Sequence, residues 1–488
     1  MISKRIIRSF TRRWHCDGGY REVLTLAIPL ILSTGSWSIQ HFVDRMFLTW
    51  YSPEAIAAAL PAGILNFTIM SLFIGTASYV SVFVAQYYGA GRFDKIGPAI
   101  WQGVYIAIIA GVVHLLLIHL ARPIFGFVGH GPVVQAYEVV YFQILCLGAF
   151  PMVASSAMAG FFSGLGRPWP VMWVNISATA VNLAADYALI FGNWGFPELG
   201  VKGAGIATVV AVCFSFLAYL TLFFLRSHDR RYHILRGWPF EKFLFARLVR
   251  FGFPSGVQFF LDVAASTVFI LLVGRLGTVF LAATNIALNI NTLAFMPMIG
   301  FGIATSVLVG QHLGKDSPDI AERSAYSSFH LTFIYMASIA AAFVFVPDLF
   351  LKPFTIYADP ASLAPIRDIT VVLLRFVALF SLFDTMNIIF ASAIKGAGDT
   401  RYVMYMIVVV SSLVLVIPCY IALEVLNYGI YVAWAIASTY IITLSFSFFI
   451  RFYGGKWKSM RVIEEGLPTI PPIFPETHTP DYEPYDIQ

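Results

Sequence analysis

The sequence predicts an all-α integral membrane protein with about twelve transmembrane helices in two six-helix, pseudo-symmetric bundles. Three observations carry that expectation. Only 12% of the 488 residues are charged and 59% are hydrophobic, whereas soluble domains carry roughly 25% charged residues. Apolar stretches recur from Leu24 to Phe449, each of the ~20 residues needed to cross a bilayer. One half of the chain also lines up on the other at a constant offset.

Spans are expected near 22–48, 54–86, 97–121, 134–158, 169–192, 202–225, 249–274, 279–311, 325–348, 367–394, 402–425 and 428–450. An even number places both termini on one side of the membrane. Lys4, Arg5, Arg8, Arg12 and Arg13 precede the first span, and Arg226, Arg230, Arg231, Arg236, Lys242, Arg247 and Arg250 crowd the middle loop. Basic loops face the cytoplasm, so both termini are expected there. The resulting division is a basic N-terminus (1–21), an N-lobe (22–225), a basic linker (226–248), a C-lobe (249–451) and a cytoplasmic tail (452–488). The tail, 452–488, is expected to be disordered: from Glu464 onward it is acidic and proline-rich, a composition that cannot build a packed core. The basic start runs into the first span without a small-residue cleavage site and is read as retained.

Between the halves, Pro29 matches Pro254, Asn66 matches Asn291, Gly75 matches Gly300 and Ser81 matches Ser306, an offset of 254 − 29 = 225. Gln86 with Gln311 and Gly89 with Gly314 keep it. Gly164 and Gly166 then match Gly396 and Gly398 at 396 − 164 = 232. Six spans per half give the repeats the same orientation, related by an axis along the membrane normal, and such repeats commonly enclose a transport cavity.

A carboxylate at mid-membrane costs on the order of 3 kcal/mol on insertion scales, so each one demands a reason. Asp44, Asp186, Asp262 and Asp384 fall in spans 1, 5, 7 and 10, two in each half. Gln40, Asn182 and Gln258 each precede an aspartate by four residues and share its helix face. Asn175, Asn182 and Asp186 form one stripe along span 5. Asn285 and Asn289 lie one turn apart in span 8, and Asn387 follows Asp384 by three. A carboxylate in a low-dielectric setting can exchange a proton near neutral pH, and with amide oxygens beside it can instead hold sodium. The alternative is that some of these aspartates pair with Arg45, Arg275 or amides to fix helix packing. His41, His114 and His119 read as hydrogen-bonded interior histidines, and Cys16, Cys146, Cys213 and Cys419 lack any metal or redox spacing.

No phosphate loop, HExxH or GxSxG motif is present, so an enzyme or an ATP-driven pump lacks its residues. Basic residues sit between spans rather than interleaved with aromatics, which argues against nucleic acid. Aromatics make up 16% of the chain, a supply suited to stacking on lipophilic cations.

The segments FVDRMF around Asp44, NLAAD ending at Asp186, FPSGVQFFLD ending at Asp262 and LFDTMN with KGAGDT around Asp384 resemble the multidrug and toxic compound extrusion family. FGNWGFPELGVKGAGIAT and IALNINTLAFMPMIGFGIATSVLVGQHLG resemble it too, and the likeness covers all but the tails. It implies two six-helix lobes forming a V with alternating access, and secondary antiport of organic, mostly cationic and lipophilic compounds against inward H+ or Na+. It places Asp44, Asn182 and Asp186 at an N-lobe cation site and Asp262 with Asp384 at a C-lobe one. Gln258 and Asn285 are neighbours, and Asn175 joins them from the span-5 stripe. Sodium, as coupling ion, is expected at Asp44, Asn182 and Asp186 or at Asp262 and Asp384, with no other cofactor. Asp262 stands where a glutamate is common, and Arg45 where a small or neutral residue is usual. The expected setting is a bacterial inner membrane, with a monomer in contact with lipids and drug-like organic cations. A lipid-linked oligosaccharide flippase of related architecture is the alternative, although an anionic lipid cargo calls for intramembrane Arg or Lys.

Overall fold

In hydrocarbon every backbone N–H and C=O must be satisfied within the protein, which a helix does by itself. The computed structural model describes residues 13–225, 230–355 and 360–464, and among these all regular structure is helical. Eleven helices are long and apolar enough to span, and a bent pair supplies a twelfth. They are α1 (Tyr20–Tyr51), α2 (Pro53–Gly89), α3 (Phe93–Phe127), α4 (Pro132–Leu147 and Ala149–Gly164), α5 (Trp169–Phe191), α6 (Val201–Leu225), α7 (Lys242–Gly274), α8 (Thr278–Gly314), α9 (Pro318–Phe345), α10 (Ala364–Ala397), α11 (Thr400–Val425) and α12 (Ile430–Tyr453).

Local chemistry explains where these helices start and bend. The Ser52 hydroxyl accepts the Ala55 amide at 3.0 Å and Pro53 opens α2, a capped start with proline where no donor is needed. The two parts of α4 meet at 43°. Pro151 cannot donate to the Leu147 carbonyl just beyond the break, and Gly148 tolerates the turn. In α11, Pro418 removes a donor in the same way, and the helix widens into π turns over Ser411–Val416 and Ile421–Val425,.

The first six spans form one lobe and the last six the other. Their seam is made by α1 packing along α8 and α2 packing along α7. Two pairs of close approaches define it, and each pair is reciprocal under the 225-residue offset. A Cβ on Gly75 would lie 2.8 Å from the Gly256 Cα, and one on Gly300 would lie 2.8 Å from the Ile31 nitrogen. Adding 225 to 75 and 31 gives 300 and 256. Nearer the end that carries the basic loops, a Cβ on Gly89 would lie 2.1 Å from the Gln311 carbonyl oxygen, and one on Gly314 2.3 Å from that of Gln86. Only glycine allows backbones this close. The repeat read from the sequence is therefore a physical two-fold contact.

Each lobe has its own apolar core. One gathers Val80, Phe83, Phe161 and Phe223, and the other Phe269, Met298, Phe343 and Trp434. The repeated Asn66 and Asn291 act alike: Asn66 donates to Cys146 on α4, and Asn291 accepts from Ser381 on α10, the equivalent helix.

The structure corrects the expected tail. Residues 452–464 are ordered: α12 reaches Tyr453, a short 3-10 turn covers Lys456–Ser459, and Trp457 and Val462 are fully buried. Chain composition misled because the acidic, proline-rich signal begins only at the far end of this stretch. The rest of the expected tail, 465–488, lies outside the described residues, as do the first twelve residues and linker residues 226–229.

Candidate coupling and substrate sites

In the N-lobe, α1 and α5 run side by side and bring Asp44 and Asp186 together. The two carboxyls lie within hydrogen-bonding reach of one another. Asp186 and Asn182 are completely buried. Neither oxygen of Asp186, neither amide atom of Asn182 and not Oδ1 of Asp44 has a hydrogen-bond partner among the described residues. Buried polar groups are nearly always satisfied, so five orphaned atoms around one point describe a place for something polar to enter. Tyr141, on the first half of α4, lies within electrostatic reach of both carboxylates.

Asn175 does not join this cluster. Two turns along α5, it donates to the Ser33 hydroxyl at 2.6 Å and accepts from Tyr219 at 3.1 Å, a bracket tying α1, α5 and α6. Asp44 and Arg45 are neighbours, but Arg45 is exposed and offers Asp44 no hydrogen bond.

In the C-lobe, Asp384 is buried and accepts from Asn387 at 2.8 Å. Half-buried Asp262 lies one turn from Gln258 and within electrostatic reach of Asp384. Asp384 thus has a donor, unlike Asp186. Two groups at this site went unnoticed in the sequence. Tyr440 on α12 lies near both acids, and Lys395 near Asp262. Lys395 reads as a loop base because Gly-Ala-Gly follows it, yet α10 continues past it to Ala397. Asn285 and Asn289 are exposed on α8 and meet through the Asn289 amide and the Asn285 carbonyl at 2.8 Å; no contact joins them to the aspartates. Arg275 pairs with Glu424 at 2.8 Å, not with an aspartate.

A further buried acid was overlooked. Glu138 on α4 is fully buried, with Oε1 2.8 Å from Nδ1 of His130 and Oε2 unpartnered. His114 is the hydrogen-bonded interior histidine expected, its Nδ1 bonding the Ala110 carbonyl at 2.9 Å.

Between the lobes, an aromatic chain crosses the seam. Trp37 stands 5.3 Å from His41 and 5.7 Å from Phe67, and Phe67 meets Phe259 of α7 edge-on at 5.7 Å. Asp262 follows Phe259 by one turn. From this chain to the basic end the lobes are joined by hydrogen bonds and glycine contacts. On the other side of it His41, Phe42 and Arg45 of α1 and Asn285, Asn289 and Leu293 of α8 are exposed.

The MatE family model matches the chain twice, over residues 29–188 and 254–421, one match per lobe. The chain belongs to the MatE family. It is a membrane transporter of the MATE type and not an enzyme. It is 30% identical to the multidrug resistance protein PmpM of Pseudomonas aeruginosa, over 79% of this chain and 80% of that protein. It is 29% identical to a probable multidrug resistance protein NorM of Bradyrhizobium diazoefficiens, over 79% and 83%. Among solved structures, an outward-facing multidrug resistance MATE transporter superposes with a TM-score of 0.82 at 19% identity, covering 91% of this chain and 98% of that one. The eukaryotic MATE transporter AtDTX14 superposes at 0.81 and 16% identity, covering 92% and 97%. At such identities these likenesses speak to the two-lobe fold alone.

Proposed function

We propose that this MATE transporter is a multidrug exporter of the bacterial inner membrane, driven by the inward flow of H+ or Na+ through the N-lobe. One observation carries the reading: the facing Asp44 and Asp186 carboxyls beside Asn182, buried with five polar atoms unpartnered. Two carboxylates without a donor repel unless a proton or a cation lies between them. The same oxygens can accept a proton, or join the Asn182 amide oxygen around sodium as hard ligands. A monovalent cation entering down a potential gains roughly 2.3 kcal/mol per 100 mV, enough when added to its gradient to move a solute outward.

The cargo meets the aromatic chain Trp37–Phe67–Phe259, where a flat lipophilic cation finds ring faces and, one turn beyond, the Asp262 carboxylate. The basic loops assign the joined end to the cytoplasm, with both termini there and the exposed residues beyond the aromatic chain facing outward. The protein works as a monomer surrounded by lipid.

The test is efflux of a fluorescent organic cation from proteoliposomes under an imposed pH or sodium gradient, with Asp44→Asn, Asp186→Asn, Asp262→Asn and Asp384→Asn in parallel. Loss in the first two with the others retaining transport supports N-lobe coupling. Loss only in the last two moves coupling to the C-lobe. Failure of folded protein to move any cation under either gradient overturns the multidrug reading in favour of an anionic lipid cargo.

A further inference from the structure

Alternating access, on which this inference rests, requires the cytoplasmic ends of the lobes to separate. Besides the reciprocal glycine contacts, the Tyr79 hydroxyl on the Lys395 carbonyl at 2.6 Å and Glu22 beside His312 at 3.3 Å, two buried glutamines hold them together. Gln86 of α2 donates its Nε2 to the Gly396 carbonyl at the end of α10 at 2.9 Å, and its counterpart Gln311 of α8 donates to the Gly164 carbonyl at the end of α4 at 2.8 Å. The pairing obeys the two-fold relation. Residues 457–464 do not.

This segment starts on the C-lobe. Trp457 stacks on Phe452 with centroids 4.9 Å apart and planes 11° from parallel, and its indole N–H donates to the Phe452 carbonyl at 2.8 Å. Lys458 reaches Glu322 at 2.6 Å and Asp319 at 3.7 Å, and Arg461 reaches Asp316 at 3.1 Å, all at the start of α9. The Val462 carbonyl still accepts from Nε of Arg247 on α7 of the C-lobe at 2.9 Å, while the Val462 amide crosses the seam and donates to Oε1 of Gln86 at 2.8 Å. The buried side chains of Val462 and Ile463 join a core made mostly by the N-lobe, with Val80, Phe83, Tyr87 and Ile96, to which Leu244 and Leu248 at the start of α7 also belong. Glu464 accepts from the Tyr87 hydroxyl at 3.0 Å and pairs with Arg92 at 3.1 Å. Arg247 stands 3.9 Å away.

A strap rooted in one lobe with its apolar end buried in the other cannot stay in place when the two part. Gln86 sharpens the point: its amide is shared between the Gly396 carbonyl and the Val462 N–H, so leaving one partner means leaving both. We propose that residues 457–464 form a clasp that holds the cytoplasmic end shut and lets go of the N-lobe each time the transporter opens inward. The clasp sets how often the inward-open state is visited, through buried apolar contacts and charged hydrogen bonds on the N-lobe side. The occupant of the seam is a segment of this same chain, and its release is a step in the cycle.

The test uses the full-length protein with its four cysteines replaced and a reporter at Ala85→Cys. Ala85 is completely buried against Gly310 across the seam. A membrane-impermeant maleimide is applied from the cytoplasmic side of oriented vesicles during turnover. Adding Glu464→Gln is expected to raise the labelling rate by roughly threefold, as for a partly exposed ion pair. Ile463→Asp is expected to raise it roughly tenfold or more by driving a charge out of the N-lobe core. Equal rates in the parent and both variants, with melting temperatures retained, overturn the clasp alone. If the parent reporter never reacts under turnover, alternating access itself fails and the clasp falls with it. Should the variants not fold, hydrogen exchange of the unaltered protein decides. An amide at Val462 that is protected at rest and exchanges faster during turnover supports the clasp, and one that exchanges as an open peptide at rest refutes it.

Discussion

Emptying the N-lobe site of polarity should stabilise the resting protein while abolishing coupling. Asn182 and Asp186 contribute four buried atoms without a partner, and an unsatisfied buried polar atom costs about 1–3 kcal/mol. Leucine branches at Cγ as asparagine and aspartate do, so Asn182→Leu with Asp186→Leu replaces the orphaned atoms by methyl groups in the same directions. At the low end of that range the removed penalty is about 4 kcal/mol. Adding bulk to a packed interior returns about 1–2 kcal/mol of it, for a net gain of about 2–3 kcal/mol. In a chain of 488 residues this amounts to roughly 2–6 °C of melting temperature. The assay is thermal unfolding in detergent at neutral pH and low sodium, beside gradient-driven efflux in liposomes. A double variant that melts several degrees lower would mean that these atoms are satisfied at rest, and the case for a cation site there would collapse. A double variant that still couples efflux to a gradient would remove the N-lobe from the mechanism.

Three more perturbations separate the other parts. Gly89→Ala and Gly314→Ala place a methyl group 2.1 Å and 2.3 Å from facing carbonyl oxygens; both should push the basic ends of the lobes apart to a similar extent, shifting spin-label distances across the seam toward the population open at that end, and a change in only one would break the two-fold relation. Phe259→Ala or Trp37→Ala should weaken binding of a planar organic cation by roughly fivefold, the scale of one cation–π contact, and fluorescence titration giving unchanged affinity would exclude the aromatic chain as its platform. Burial pushes the Glu464 carboxyl up, but hydrogen bonds from its own backbone amide and Tyr87 and the charges of Arg247 and Arg92 outweigh it and hold the carboxyl below its ordinary 4.5. A depressed carboxyl stabilises the state that holds it above its free value and loses that contribution as pH falls through its lowered value, so the protection of amides 457–464, taken as the ratio to the open-peptide exchange rate at each pH, should be constant from neutrality to about pH 5 and fall only in stronger acid; a fall near neutrality would contradict the assigned partners.

The sequence carried the spans, their number and the repeat because each rests on a long or repeated pattern. Twenty apolar residues have few readings other than a spanning helix, and the Gly89–Gly314 and Gln86–Gln311 matches name the residues that meet at the seam. The four aspartates stood out because charge in an apolar run is costly. What the sequence could not convey was which polar groups find partners. Asn175 and Asn182 share one stripe, yet one is satisfied by Ser33 and Tyr219 and the other is not, a difference decided by neighbours on α1 and α6. Tyr141 and Tyr440 were invisible because a tyrosine in a span has many uses. Glu138, fully buried on α4, falls under the same cost argument as the aspartates. The strap is not legible because its composition is ordinary and its N-lobe partners Gln86, Tyr87 and Arg92 lie more than 300 residues away in the chain.

The two-fold relation also explains why a strap is useful. Gln86 and Gln311 hold equivalent carbonyls in opposite lobes, so a rigid separation breaks both bonds in one motion, and neither lobe can act as lock for the other. Changing the strength of either glutamine contact alters the hinge itself. Residues 457–464 add an element outside the symmetry: among the described residues Gln86 meets a strap amide and its counterpart Gln311 does not, and the strap carboxylate bonds Tyr87 and Arg92 of the N-lobe. The lifetime of the closed end can then be tuned by residues that touch neither the cation site nor the aromatic chain. A transporter whose cleft must accept varied cargo gains from such a separation, because its closing strength need not be built from the surfaces that contact the cargo.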